Sequence, residues 1–350
     1  VSSLDQVAAA MSEVRPTVVV STPRVYEKLY SRILSATGVK RRLVLWSRRV
    51  ALEWADRVLA GERPSLGLRL RHRVADRLVF SKVRAAIGGR LRFFVSGAAP
   101  LAPELARFFF GAGVTILEGY GLTETSPVTN VNRPDSIRIG TVGPPVPGTE
   151  IAIADDGEIL VRGPQVMKGY FNLPEATAEA IDSDGWFRTG DIGELDADGY
   201  LKITDRKKDL LVTAGGKNIA PQPLENEIKT SRYIAEAVML GDRRPYPIVL
   251  VVPDFDAIAG WAEAKGITER DRVALVRHPD VQAKLEREVE RKVEPFARYE
   301  KPKKVAVLER EFSIEGGELT PTMKVRRRVV EERYAAVIEA LYGDSQVAAK

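Results

Sequence analysis

The chain has 350 residues, 44% hydrophobic and 29% charged, an ordinary globular composition long enough for two or three domains. It has no cysteine, which excludes disulfides and any thiol chemistry of its own, and its longest apolar runs, such as Ile248 to Val252, are far too short to span a bilayer. The net charge of +5 is uneven: residues 40–92 carry 15 Lys and Arg against four Asp and Glu, so the basic character belongs to one segment and does not indicate nucleic-acid binding.

Residues 1–38 predict helix, strand, helix. Leu4, Val7, Ala8 and Met11 form an amphipathic start, Pro16 to Ser21 a strand, and Pro23 opens a helix carrying Val25, Leu29 and Ile33. The chain thus begins inside an α/β alternation without an initiator Met, as expected of the later part of a longer protein. From Lys40 to Ala60, Leu43, Trp46, Val50, Trp54 and Val58 recur at helical spacing with arginines between them. The break from Pro64 to Gly67 precedes a second basic helix to about Ile87. Two readings of these basic helices, 40–87, stand side by side: the solvated face of a core helix, and peripheral contact with an anionic membrane.

Leu91 to Val95 predicts a strand, followed by the small-residue loop Ser96 to Pro100, and Pro103 opens a helix through Phe110. The run Val114 to Leu117 predicts the next strand. Glu118 to Pro127 is then a loop at its C-terminal end, where open α/β sheets bind ligands. Gly119 and Gly121 would let the backbone pass close to a flat ligand, Tyr120 offers a stacking face, Thr123 a hydroxyl for a phosphate, and Glu124 a carboxylate suited to Mg²⁺. A turn followed by an N-cap explains the same residues equally well.

Beyond Asn130 short strands and turns predominate. Hairpins are expected at Glu150 to Arg162, through Asp155-Asp156-Gly157, and at Ile192 to Thr204, through Asp198-Gly199, with Gly185 to Asp191 between them. From Asp205 onward the chain mixes strands and helices. Strands are expected at Leu210 to Thr213, Ala235 to Leu240, Ile248 to Val252 and Lys304 to Leu308, and helices near Pro221, Phe255 to Ala264, Val281 to Val293 and from about Arg326.

The order of these pieces resembles the adenylate-forming (AMP-binding) superfamily of acyl-CoA synthetases, adenylation domains and luciferases, and most of all its long-chain fatty acyl-CoA synthetase branch. The matching stretches are Ser96 to Leu101, Glu118 to Pro127, Gly157 to Pro164, Gly185 to Asp191, Tyr200 to Asp209, Gly215 to Pro221 and Leu319 to Lys324. The family's lysine-containing phosphate loop is not found between Val1 and Gly89, so a fragment is expected.

The fold class this implies is α/β: part of a large N-terminal domain, with α/β layers at 1–129 and a small antiparallel β subdomain at 130–205, then a small mobile α+β C-terminal domain at 206–350. The implied reaction joins a fatty acid to AMP from ATP, releasing pyrophosphate, and then transfers the acyl group to coenzyme A. The resemblance makes Lys324 the lysine bridging carboxylate and α-phosphate, Thr123 a phosphate ligand and Glu124 the Mg²⁺ ligand. It has Tyr120 stack near adenine, framed by Ala98, Ala99 and Pro100, within a nucleotide site that includes Glu118, Gly119 and Gly121. Asp191 would hold the ribose, assisted by Arg206. The Gly215-Gly216 loop would approach the thiol after rotation about a hinge near Asp205. An aryl-CoA ligase, a peptide-synthetase adenylation domain and a non-catalytic remnant remain as alternatives, and a cytoplasmic location, with or without membrane contact, is expected.

Overall fold

The computed structural model describes residues 7–320 and 324–347 and divides into two compact units, 1–208 and 209–350. Leu4 lies outside the described residues.

In the first unit, helix α1 (Val7–Val14) leads into β1 (Val18–Ser21), and Pro23 supplies the first turn of α2 (Pro23–Leu34) as its missing N–H requires. Helix α3 (Gly38–Leu59) follows, then α4 (Leu66–Ala75), a π-helical turn at Asp76–Phe80 and α5 (Ser81–Ala86). The break before α4 is shorter than expected because the Ser65 hydroxyl caps the helix, accepting from the Leu68 amide at 3.3 Å. Strand β2 (Phe93–Ser96), α6 (Pro103–Gly111), β3 (Ile116–Tyr120) and β4 (Asn130–Val131) complete a sheet of order β1-β2-β3-β4, its first three strands parallel and β4 antiparallel.

The buried face of α3 is Ser47, Val50, Ala51 and Ala55, while Leu43, Trp46 and Trp54 pack at its flanks. These small residues let α6 lie very close: a Cβ on Gly111 would fall 2.1 Å from the Ala51 carbonyl oxygen. Several arginines of the basic segment pair within the protein, Arg48 with Glu104, Arg71 with Glu53 and Arg84 with Asp76. Arg48 also donates to the Tyr30 hydroxyl at 2.6 Å, tying α3 to α2. The expectation of membrane contact through residues 40–87 finds no support: the α3 residues Leu43, Trp46, Val50 and Trp54 pack on the core and four of the segment's arginines are ion-paired, although Leu66, Leu70, Val74 and Leu78 stay exposed. Among the described residues, no helix is long and apolar enough to cross a membrane.

The rest of the first unit is an antiparallel sheet of order β5-β6-β7-β8, formed by β5 (Glu150–Ile153), β6 (Glu158–Arg162), β7 (Phe187–Leu195) and β8 (Leu201–Arg206), with α7 (Pro174–Ala180) between β6 and β7. Both hairpins form where the Asp-Gly turns place them. Gly185 to Asp191 differs from expectation. Phe187 to Asp191 belong to β7, because β6 and β8 pair with it on either side.

The second unit opens with a two-stranded ribbon, β9 (Leu211–Val212) and β10 (Asn218–Ile219), then α8 (Pro221–Lys229). A three-stranded sheet follows, β11 (Ile234–Leu240) antiparallel to β12 (Ile248–Pro253), which is parallel to β13 (Val305–Val307). Helices α9 (Phe255–Ala264), α10 (Arg272–Arg277), α11 (Pro279–Val293), α12 (Arg327–Arg333) and α13 (Ala335–Val347) complete it. Apart from Glu236, strands β11 and β12 are apolar because both faces are covered. Ala237, Met239, Val249 and Val251 pack with Leu224, Ile228, Leu285 and Val289 on one side, while Val238, Leu240, Leu250 and Val252 pack with Leu308, Phe312, Leu319 and Val330 on the other.

Candidate active site

The site begins where β2 and β3 end side by side. Ser96 and Glu118 are register partners there, so the loops after the two strands leave the sheet together. After Ser96 the chain passes through Ala98 at φ +70°, a left-handed conformation that costs an alanine free energy, and Ala98 and Ala99 are exposed. The Ala98-to-Pro100 backbone is thereby presented to solvent, which suits a backbone that frames a planar ligand.

Strand β3 runs three residues further than the sequence suggests, so Glu118, Gly119 and Tyr120 are strand residues. Pairing with β4, Gly119 opposite Val131 and Tyr120 opposite Asn130, is what extends it. The glycines have packing reasons. A Cβ on Gly119 would meet the Asn130 carbonyl oxygen at 3.3 Å, and one on Gly121 would meet the Pro127 carbonyl oxygen at 1.5 Å. Gly121 therefore lets the loop fold back on itself, and the Thr125 side chain closes that loop by accepting from the Leu122 amide at 2.9 Å and donating to the Pro127 carbonyl. Thr123 and Glu124 sit on the resulting 3₁₀ turn, Thr123 exposed.

Glu118 is 8% exposed, and burial pushes its carboxyl up to about 7, the Gly140 and Leu101 amides offsetting only part of that. It is a buried acid held by backbone groups. Tyr120 donates its hydroxyl to Asp191 Oδ2 at 2.6 Å, linking the end of β3 to β7. Asp191 is 5% exposed and lies opposite Arg206 on β8, whose Nε sits 3.3 Å from Oδ1. Burial and the neighbouring carboxylate push the Tyr120 phenol far above its ordinary range, so it stays a neutral donor.

Tyr170 is the residue that sequence reasoning missed. Its hydroxyl donates to Glu124 Oε1 at 3.1 Å, and the Met167 amide donates to the Glu124 carbonyl at 2.7 Å. The backbone around it, Gly169 at φ +151° and Asn172 at φ +55°, is special, and the Gly-Tyr-Phe-Asn run is its only sequence signal. Among the described residues no three His, Cys, Asp or Glu cluster to hold a metal ion. Glu124 is thus a single carboxylate, which fits Mg²⁺ of the kind completed by substrate phosphates and water.

The remaining predicted residues belong to the second unit. Gly215 and Gly216 form an exposed turn between β9 and β10; the Gly216 amide donates to the Thr213 carbonyl at 2.8 Å, and its φ of +72° favours glycine. Lys324 is exposed, with its amide donating to Thr320 Oγ1 at 2.9 Å. Pro321, Thr322 and Met323 lie outside the described residues.

A family model described as AMP-binding enzyme matches residues 2–171, and one described as AMP-binding enzyme C-terminal domain matches residues 208–346. The chain is 44% identical over 344 residues to the long-chain-fatty-acid–CoA ligase FadD15 of Mycobacterium tuberculosis, which takes in 97% of this chain and 57% of that protein. It is 34% identical over 365 residues to the long-chain-fatty-acid–CoA ligase ACSBG1 of Homo sapiens, covering 96% of this chain and 50% of that one. Among solved structures, it matches the A-PCP didomain of the carboxylic acid reductase from Segniliparus rugosus in complex with AMP, with a TM-score of 0.70 at 25% identity over 99% of this chain and 45% of that one. The chain spans about half the length of the curated relatives it matches.

Proposed function

Since this chain belongs to the AMP-binding enzyme family, we propose that it serves the ATP-dependent conversion of a long-chain fatty acid to its coenzyme A thioester, through an acyl-adenylate. The relatives at 44% and 34% identity, both long-chain-fatty-acid–CoA ligases by name, support the substrate class. The observation that carries the reading is the Tyr120–Asp191–Arg206 network at the end of β3.

ATP with Mg²⁺ supplies an electrophilic phosphorus whose charge is partly neutralised. The chain's residues bind and orient. Asp191, beside Arg206, accepts from the ribose hydroxyls, and Tyr120 holds it in place while offering a ring face near the base. The exposed Ala98-to-Pro100 backbone frames that base, next to the Glu118-to-Gly121 strand end. Thr123 donates to a phosphate oxygen, and Glu124, oriented by Tyr170, is the metal's protein ligand. Lys324, carried on the second unit, provides positive charge to the reacting carboxylate and α-phosphate. The Gly215-Gly216 turn acts in thioester formation, where its lack of side chains suits close passage of a thiol-bearing arm.

Calorimetric titration of this chain with ATP and Mg²⁺ is expected to show a dissociation constant on the order of micromolar, weakened about ten-fold or more by Asp191→Asn. Absence of binding, or binding indifferent to Asp191→Asn, would count against the assignment.

A further inference from the structure

The segment that carries Lys324 is built on a buried carboxylate. Glu318 has a relative exposure of 0%. Its Oε1 accepts from Arg333 Nη1 at 2.7 Å and from Arg310 Nη2, and its Oε2 lies 3.4 Å from the Ser313 amide. Arg333 ends α12, and Arg310 lies beyond β13, so one carboxylate gathers two separate segments. The approach is made possible by Gly316, where a Cβ would fall 2.1 Å from Glu318 Oε2.

The backbone then carries this anchor to Lys324. The Arg326 amide donates to the Glu318 carbonyl at 2.7 Å, Leu319 and Val325 form an antiparallel bridge, and the Thr320 amide donates to the Lys324 carbonyl at 2.8 Å. Thr320 Oγ1 returns a bond by accepting from the Lys324 amide. Leu319, 4% exposed, pins the near arm to the core. Two short arms, 318–320 and 324–326, are thus cross-linked, with Lys324 exposed on the second.

We infer that Glu318, clamped by Arg310 and Arg333, is a positioning residue that fixes where Lys324 is presented. A buried carboxylate with two guanidinium partners is weak evidence for stability, since apolar packing would do as well, but it gives strong directional constraint. The role assigned to Lys324 rests on the proposed function; the positioning itself does not.

Two arms separate them. In this chain, hydrogen exchange is measured for Glu318→Gln, Thr320→Val and Thr320→Ser. Glu318→Gln and Thr320→Val are expected to speed exchange of the Lys324 amide about ten-fold or more, with β11 and β12 unchanged and Thr320→Ser close to the parent. Unchanged protection at Lys324, or an equal loss in β11 and β12, overturns the positioning role. In the full-length protein, Glu318→Gln is expected to slow acyl-adenylate formation about ten-fold while thioester formation from supplied acyl-adenylate stays within about two-fold. Faster exchange at Lys324 with both half-reactions slowed alike supports the positioning role and overturns the catalytic reading of Lys324. Should Glu318→Gln fail to fold, Arg310→Gln and Arg333→Gln, each removing one side of the clamp, carry the same test.

Discussion

Glu118 in the first unit and Glu318 in the second are both buried carboxylates, yet their ionisation moves in opposite directions. Glu118, met by the Gly140 and Leu101 backbone amides, is pushed up to about 7 by burial. Burial acts on Glu318 in the same sense, but hydrogen bonds from its own amide, Arg333, Arg310 and Ser313 take it below the usual range. Depth alone does not decide whether an acid carries charge. The partner that the fold brings to it does.

The strongest way to break this comparison is to remove the anion and leave its partners. Glu318→Leu should lower the stability of the second unit by about 3 kcal/mol, because two guanidinium groups lose the buried counter-charge that pairs them. Hydrogen exchange in β11 and β12 would register it. A loss near zero would mean that Arg310 and Arg333, both partly exposed, swing into solvent without cost.

The effect at Glu118 is a pH dependence of opposite sign. Its folded value lies above the unfolded value of 4.5, so between 4.5 and about 7 the folded state retains a proton that the unfolded chain has lost. The stability of the first unit should therefore fall as pH rises through that window, by up to about 3 kcal/mol, and level off above it. Urea unfolding of the parent and of Glu118→Gln across the window checks this. The difference between them should change with pH in that direction, and a flat difference would mean that Glu118 is charged in the fold.

Asp191 gives the smallest effect and the sharpest link to ligand. Tyr120→Phe keeps the ring and removes one bond to a buried carboxylate, so it should cost about 1–2 kcal/mol of stability. ATP affinity measured by calorimetry should weaken while the Mg²⁺ requirement stays unchanged. Loss of metal dependence in Tyr120→Phe would show that the two ends of the site are coupled.

Much of the architecture was legible locally. Pro23, Pro103 and Pro221 open helices because proline suits a first turn, and the Asp-Gly turns near Gly157 and Gly199 close hairpins because they supply φ above zero, +83° and +78°. What failed was non-local. A sequence reader stops β3 at Leu117 because glycine weakens a strand, yet β4, from beyond the loop, pairs with Gly119 and Tyr120 and keeps them extended. Thr189, Gly190 and Asp191, expected only to lie between the two hairpins, are likewise held in β7 by its neighbours.

By itself, then, the sequence determined which residue types could do the chemistry and in what order along the chain they lie: a threonine and a carboxylate after a strand, an aspartate before a hairpin, a lysine near the end. Tertiary structure alone decided their company. Tyr120 meets Asp191 across 71 residues, Tyr170 meets Glu124 across 46, and Glu318 collects Arg310 and Arg333 from separate segments. Hydrogen-bond partners and ionisation depend on distances of a few ångströms, which sequence separation does not encode.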